Sequence, residues 1–225
     1  TLGLSGSPFR NDNATLLMNK LVGMVIYSKP TKELEAEGYI TPTKCIFIQN
    51  KLENKTPGAE YIQNYNESIV QNADRNKTVK SIVEKFRKDK KILILTKSVE
   101  HGEILHKLID KSLLINGSTE KHLRKVMFAD FKKYPGYTLI GSNQIFSTGI
   151  DVPDLDIIIN TTANKSKVEV IQTVGRVKRK HMSKAFGYYV DFCDLFNPTF
   201  QRGAEERRKI LKDYGNEVKI IKFEA

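Results

Sequence analysis

Cysteine is scarce in this 225-residue chain: Cys45 and Cys193 stand far apart, with no Cys-x-x-Cys or Cys/His spacing around either. That excludes a disulfide framework and offers no zinc-ligand pattern, and it fits a reducing compartment such as the cytoplasm. No apolar run approaches the ~20 residues needed to span a bilayer. The opening TLGLSGSPFR has neither the basic nor the apolar region of a secretory signal. It also lacks an initiator Met and reads as the middle of a strand, as a piece of something longer would. Acidic residues are outnumbered, 26 Asp+Glu against 37 Lys+Arg, for a formal charge of +11. A field of that sign concentrates polyanions, nucleic acid first and an anionic membrane surface second. Three phosphate-handling signatures are missing. There is no G-x-x-x-x-G-K-[ST], hence no backbone cradle or lysine for a β-phosphate, and no strand leads into an Asp-Glu pair suited to magnesium. Nor is there a Gly-rich first turn followed ~20 residues later by an acid, which removes a Rossmann-type cofactor enzyme.

What is present has the composition of a globular domain, 40% hydrophobic and 28% charged. From residue 43 onward, short apolar runs alternate with amphipathic stretches. TKCIFIQ (43–49), ILIL (92–95), LLIN (113–116), YTLIG (137–141), LDIIIN (155–160) and FGYYVDF (186–192) read as strands. Between them, helices are expected in GAEYIQNYNESIVQ, in TVKSIVEKFRKDKK with Val79, Ile82, Val83 and Phe86 inward, in SVEHGEILHKLIDK behind a Ser98 cap, and in TEKHLRKVMFADFKKY with Leu123, Val126, Met127 and Phe131 inward. Strands this continuously apolar are buried on both faces, so the fold class expected is α/β: a parallel sheet between helices, joined by right-handed crossovers.

Two stretches carry chemistry. In IGSNQIFSTGIDVPDLDIIIN (140–160) a strand ends, and Ser142, Asn143 and Gln144 precede a tight Gly149–Pro153 passage. Open α/β sheets bind ligands beyond the carboxyl ends of their strands, so this loop is expected at that crevice. A capped surface turn would have the same composition. In KSKVEVIQTVGRVKRK (165–180), Val168, Ile171 and Val174 form an apolar helical face, and Gln172, Arg176 and Arg179 project together from one side. Planar guanidiniums fork onto phosphate oxygens; a solvated basic face or localisation-like cluster is the alternative. The phosphate reading expects both arginines to open onto the sheet's ligand crevice rather than onto the opposite rim. Lys178 and Lys180 are expected in solvent or at nucleic-acid phosphates. The four histidines, without ligand spacing, are expected at the surface or between domains, and Asp154 and Asp156 on a solvated strand edge.

Taken in order, these stretches resemble superfamily 2 helicases. STGIDVP (147–153) is similar to their motif V, QTVGRVKR (172–179) has the Q-x-x-G-R-x-x-R form of motif VI, KILILTKSVEHGEIL is similar to motif IV, and INGSTEKHLR (115–124) to the turn and helix after it. LGLSGSPFR resembles motif III, and SGSPFR, with the spacing of the later motifs, looks closest to the UvsW/XPB-like branch. The resemblance implies a RecA-like fold without its own Walker A loop. It divides the chain into 1–28, the end of a first motor domain; 29–42, a linker; and 43–225, a second motor domain. It implies ATP-driven translocation on DNA, with remodelling of branched or duplex substrates, ATP with Mg2+ bound jointly with an N-terminal RecA-like domain preceding Thr1, and this half alone inactive. A monomer is expected, with no membrane partner, in a bacterial or phage-infected cytoplasm or a eukaryotic nucleus.

By the same resemblance, Arg179 would be the arginine finger, Arg176 its partner at the γ-phosphate or in the interdomain network, and Gln172 would orient the attacking water or bridge to the first domain. Gly149 and Asp151 lie near the nucleotide and couple to the arginines. Thr96, Lys97, Ser98, Gly117, Ser118, Arg124, Ser142, Ser147 and Thr148 are candidates for the DNA backbone, and Ser5, Ser7 and Arg10 for the coupling motif. No metal ligand is assigned. A nucleic-acid-binding α/β module without ATPase chemistry, and the motor subunit of a restriction-type nuclease, remain alternatives.

Overall fold

The computed structural model describes residues 3–5, 15–49, 60–147 and 152–222. In chain order the described elements are α1 (Thr15–Val22), α2 (Thr31–Ala36), β1 (Thr43–Gln49), α3 (Tyr61–Tyr65) running on into a π-helical turn (Asn66–Val70), α4 (Ala73–Phe86), β2 (Ile92–Leu95), α5 (Val99–Leu108), β3 (Ser112–Ile115), α6 (Lys121–Lys133), β4 (Thr138–Gly141), α7 (Asn143–Ser147), β5 (Ile157–Asn160), α8 (Lys167–Val177), β6 (Gly187–Phe192), α9 (Pro198–Asp213) and β7 (Glu217–Lys222). Among the described residues the strands form one seven-stranded sheet in the order β3-β4-β2-β5-β6-β1-β7, every pair parallel. This is the α/β architecture expected of a RecA-like domain.

Alternation along each strand divides the core. Phe47, Leu93, Leu95, Leu139, Ile158 and Tyr189 face one way and meet Phe131 of α6, Phe146 of α7, Val170, Val174 and Val177 of α8, and Ala204 and Leu211 of α9. Ile48, Ile92, Ile94, Ile140, Ile157, Ile159 and Val190 face the other way, onto Val79, Ile82 and Val83 of α4 and Leu105 and Ile109 around the end of α5. Four-residue runs such as ILIL can be wholly apolar because both faces are covered.

Several helical faces are rotated from those expected. Phe86, Leu123 and Val126 are exposed, and α6 seats Met127, Phe128 and Phe131 on the core instead. On α8 the buried row is Val170, Thr173, Val174 and Val177. In each case the three- and four-residue spacing holds, but the apolar stripe is wider than the face the sheet covers. Asp156 is buried rather than solvated: it accepts from Lys90 Nζ at 3.1 Å and from the Lys91 backbone N–H at 2.9 Å, while Lys91 Nζ pairs with Asp154. Within residues 29–42 lies α2. The elements α9 and β7 complete the sheet beyond the runs read from sequence.

At the carboxyl ends of β5 and β6 a buried charge network joins both layers. The Arg207 guanidinium of α9 forks onto Asp191, Nε to Oδ2 and Nη2 to Oδ1, both at 2.8 Å. Tyr189 Oη and Asn160 Nδ2 also donate to Asp191, at 2.6 and 3.0 Å. From the opposite face, Arg75 of α4 donates to Asp194 at 3.0 Å and to the Thr161 carbonyl at 3.2 Å, its guanidinium lying 4.2 Å from the Phe192 ring centre. Asp191 thus belongs to the core and faces α9. Removing Arg207 would strand a buried carboxylate, so Arg207→Ala is expected to cost about 3–5 kcal/mol in denaturant unfolding, a loss that Arg207→Lys, without the fork, restores only in part.

His101, expected near the surface, is wholly buried on α5. Asn76 Nδ2 donates to the Val70 carbonyl, which leaves Asn76 Oδ1 to accept from His101 Nε2 at 2.9 Å. The imidazole is therefore the neutral Nε2–H tautomer, and burial, reinforced by the charge of Arg75, pushes its pKa down to about 3. Between that value and the ordinary ~6.5 the unfolded chain binds a proton that the folded chain does not. Stability is expected to fall as pH drops from ~6.5 toward 3, by up to ~1.4 kcal/mol per unit, and His101→Gln should flatten that part of the stability–pH curve.

Candidate functional site

In a parallel sheet each crossover helix runs against the strands, so segments that follow strands gather at one rim and segments that follow helices gather at the other. The candidate residues divide along this line. At the carboxyl rim, Thr96–Ser98 follow β2, Gly117 and Ser118 follow β3, and Ser142 follows β4. Thr96 is buried, its backbone N–H donating to the Gly141 carbonyl at 2.9 Å, and Ser98 Oγ caps α5 by accepting from the His101 N–H at 3.2 Å. Of that trio Lys97 is the exposed member, its ammonium 5.3 and 5.0 Å from the rings of Tyr61 and Tyr65. Ser118 is exposed and donates through N and Oγ to Asn116 Oδ1. Arg124 folds back to hold the same turn, donating to the carbonyls of Thr119 and Gly117 at 2.8 and 2.9 Å.

Arg176 and Arg179 lie at the other rim. The helix α8 descends from the end of β5 and stops where β6 begins: a Cβ on Gly187 would sit 2.4 Å from the Val177 carbonyl oxygen. The Arg179 carbonyl accepts from Thr41 Oγ1, two residues before β1 starts. The expectation that the arginines open onto the carboxyl-edge crevice is therefore not met, because a helix running against its strands delivers its last turn to their amino ends. There the two side chains line a small crevice of about 20 Å3 with Leu93, Leu139, Phe131, Phe146, Val152 and Leu155. Gln172, one turn higher, is exposed and does not line it.

The amino rim crowds positive charge. Burial, reinforced by the charge of Arg179, holds the Arg176 guanidinium below its ordinary pKa. Lys184 is buried beside them, donating to the carbonyls of Pro153 and Leu155, both at 3.1 Å. Burial pulls its pKa down against the opposing fields of Asp156 and Asp154, and Arg179 lowers it further. Lys178, expected in solvent, is buried and pairs with Glu35 of α2 at 2.7 Å. Charges gathered at such cost favour a polyanion over any neutral ligand. Spacing did not reveal Lys184, Glu35 or Thr41: Glu35 and Thr41 come from a distant part of the chain, and Lys184 from the irregular connection between α8 and β6. Neither thiol is a candidate nucleophile: burial pushes Cys45 up to about 12 and Cys193 to about 11.

Residues 74–181 match the family model of the helicase conserved C-terminal domain. The chain is 31% identical over 202 residues to the ATP-dependent DNA helicase UvsW of Enterobacteria phage T4, covering 85% of this chain and 40% of that relative. It is 26% identical over 230 residues to the DNA 3'-5' helicase XPB of Kineococcus radiotolerans, covering 98% and 40% respectively. The crystal structure of T4 UvsW has the same fold, with a TM-score of 0.65 at 23% identity over 81% of this chain and 41% of that one. The chain carries a superfamily 2 helicase C-terminal domain. It spans about 40% of the length of the curated relatives it matches.

In this helicase domain the described residues on either side of 148–151 stand at opposite rims. Ser142 and α7 start from the carboxyl end of β4. At the far end Val152 and Leu155 line the arginine crevice, and the Asp156 backbone N–H bonds to the Lys91 carbonyl where β2 begins. Thr148, Gly149 and Asp151, like Ser7 and Arg10, lie outside the described residues. Ser147 ends α7, and Ser5 is exposed. Among the described residues no His/Cys/Asp/Glu cluster could hold a metal, and no helix is long and apolar enough to cross a membrane. If the crevice is a phosphate site, tripolyphosphate should raise the melting temperature of the chain, and the double variant Arg176→Gln/Arg179→Gln should lose most of that rise.

Proposed function

We propose that this chain is the C-terminal motor half of an ATP-dependent DNA translocase that remodels branched or duplex DNA. The observation carrying the reading is the division of labour between rims: Ser118, Ser142 and Lys97 on one, Arg176 and Arg179 on the other. The carboxyl-edge rule concerns a ligand that a sheet binds for itself. A finger serves a nucleotide held by another lobe, so its rim is set by how two lobes face each other.

The amino rim fits the phosphate end of ATP, because its guanidiniums are crowded and the sequence supplies no β-phosphate cradle of its own. ATP with Mg2+, held jointly with an N-terminal RecA-like lobe, would supply the phosphoryl group whose transfer drives movement. Arg179, exposed at the mouth, would neutralise charge on that group; Arg176, deeper and half-buried, would fork onto it; and Gln172 would reach across from one turn up. On the carboxyl rim Lys97, Ser118 and Ser142 would meet backbone phosphates, which positions the duplex without reading its sequence. The +11 formal charge supports such binding and makes it steeply salt-dependent.

The test compares DNA-stimulated ATP hydrolysis by the 225-residue chain with that of the protein extended at its amino end to include the other lobe. The chain alone should be inactive and the extended protein active. Arg179→Ala in the latter should lower kcat by about 10³-fold or more. Undiminished turnover in that variant would remove the finger assignment and leave a nucleic-acid-binding module.

A further inference from the structure

Beyond the end of α8 the carbonyls of Lys178 and Arg179 have no partner within the helix, as at any helix terminus. Here they are capped by one residue from before β1. The Thr41 backbone N–H donates to the Lys178 carbonyl at 2.8 Å and Thr41 Oγ1 donates to the Arg179 carbonyl at 3.1 Å. Thr41 is buried, and its own carbonyl accepts from Thr43 Oγ1 at 3.3 Å, which ties the contact to the first residue of β1. A second point of attachment lies on α2, where Glu35 Oε1 takes the Lys178 ammonium at 2.7 Å with both side chains largely covered. Between them Gly38, at φ +70°, passes close to Lys180, so that a Cβ there would be 3.7 Å from Lys180 Nζ. Thr41 therefore holds the main chain at 178 and 179 and Glu35 holds the Lys178 side chain, while the Arg179 side chain lines the crevice.

We propose that Thr41, with Glu35, is a positioning residue for Arg179, so that the segment preceding β1 is a latch setting where the guanidinium is held. The inference rests on the finger reading of Arg179 above. It adds that the same segment, expected to lead toward the other lobe, carries lobe movement directly to the finger: a shift of α2 draws on the Arg179 carbonyl through one hydrogen bond and on its neighbour through an ion pair. The latch touches neither nucleotide nor nucleic acid, so its effect belongs in kcat and in phosphate affinity rather than in DNA affinity.

The experiment is a double-mutant cycle between Thr41→Val and Arg179→Ala, read two ways. In the extended protein, Thr41→Val should lower kcat for DNA-stimulated ATP hydrolysis about five- to tenfold, the worth of one lost hydrogen bond, with KM for ATP and DNA affinity changed less than about twofold. Thr41→Ser should restore kcat. In the 225-residue chain, calorimetric titration with tripolyphosphate should show a matching several-fold loss of affinity. In the Arg179→Ala background the Thr41→Val change should have no further effect on either readout, because interacting residues are non-additive. Wild-type kcat and phosphate affinity in Thr41→Val, with Arg179→Ala impaired, would overturn the latch alone. Equal losses with and without Arg179 would overturn it too, by showing a general structural effect. Full turnover in Arg179→Ala would instead overturn the finger reading beneath it. Should Thr41→Val fail to fold, Glu35→Gln, on the surface helix α2, takes its place in every arm with the same outcomes.

Discussion

Everything in this domain follows from the obligation of parallel strands to be joined by helices that run back against them. Because β5 and β6 are adjacent and parallel, α8 must descend the sheet, and the residues at its end must arrive where the strands start. Residues directly after strands are collected at the other edge by the same rule. One chain thereby presents two chemically different rims about a strand length apart, with a rigid sheet between them. The proposed motor role would use that separation, because nucleotide and nucleic acid would then meet different phosphate-binding groups of one body.

Rigidity has a visible source at the carboxyl rim. Arg207 and Arg75 approach from opposite layers, and Asp191 and Asp194, at the end of β6, hold one each. Burying four charges is costly, and the fork on Asp191, the Tyr189 and Asn160 donors and the Phe192 ring offset part of the cost, while Arg75 Nη2, Arg207 Nη1 and Asp194 Oδ2 make no hydrogen bond among the described residues. At the amino rim the balance differs. Burial holds Arg176 and Lys184 below their ordinary pKa values, the charge of Arg179 adding to both while Asp156 and Asp154 oppose it at Lys184.

Much of the architecture was readable in advance. ILIL, IIIN and TKCIFIQ read as buried strands because runs so continuously apolar have no solvated face, and the helix cap at Ser98 follows from a short hydroxyl side chain ahead of an amphipathic run. Reading the exact inward face of a helix went less well. Phe86 and Val126 are apolar and correctly spaced, yet exposed, because which part of a wide stripe is covered depends on where the sheet ends. His101 and Asp156 misled for a related reason: a polar side chain signals surface until a partner such as Asn76 or Lys90 makes its burial tolerable, and those partners come from other segments.

For the site, sequence alone determined the inventory: a helix carrying Gln172, Arg176 and Arg179 at intervals of four and three, a Gly-Ile-Asp-Val-Pro passage, an excess of positive charge, and no phosphate cradle. These are properties of neighbours along the chain, and spacing encodes them. Only the tertiary structure decided that the arginines stand at the amino rim, that Lys184 joins them, that Thr41 holds the Arg179 carbonyl and that Glu35 holds the Lys178 side chain. The Thr41 and Glu35 contacts join segments separated by most of the chain's length. Their geometry is fixed by strand order and helix direction, which local sequence pattern does not specify.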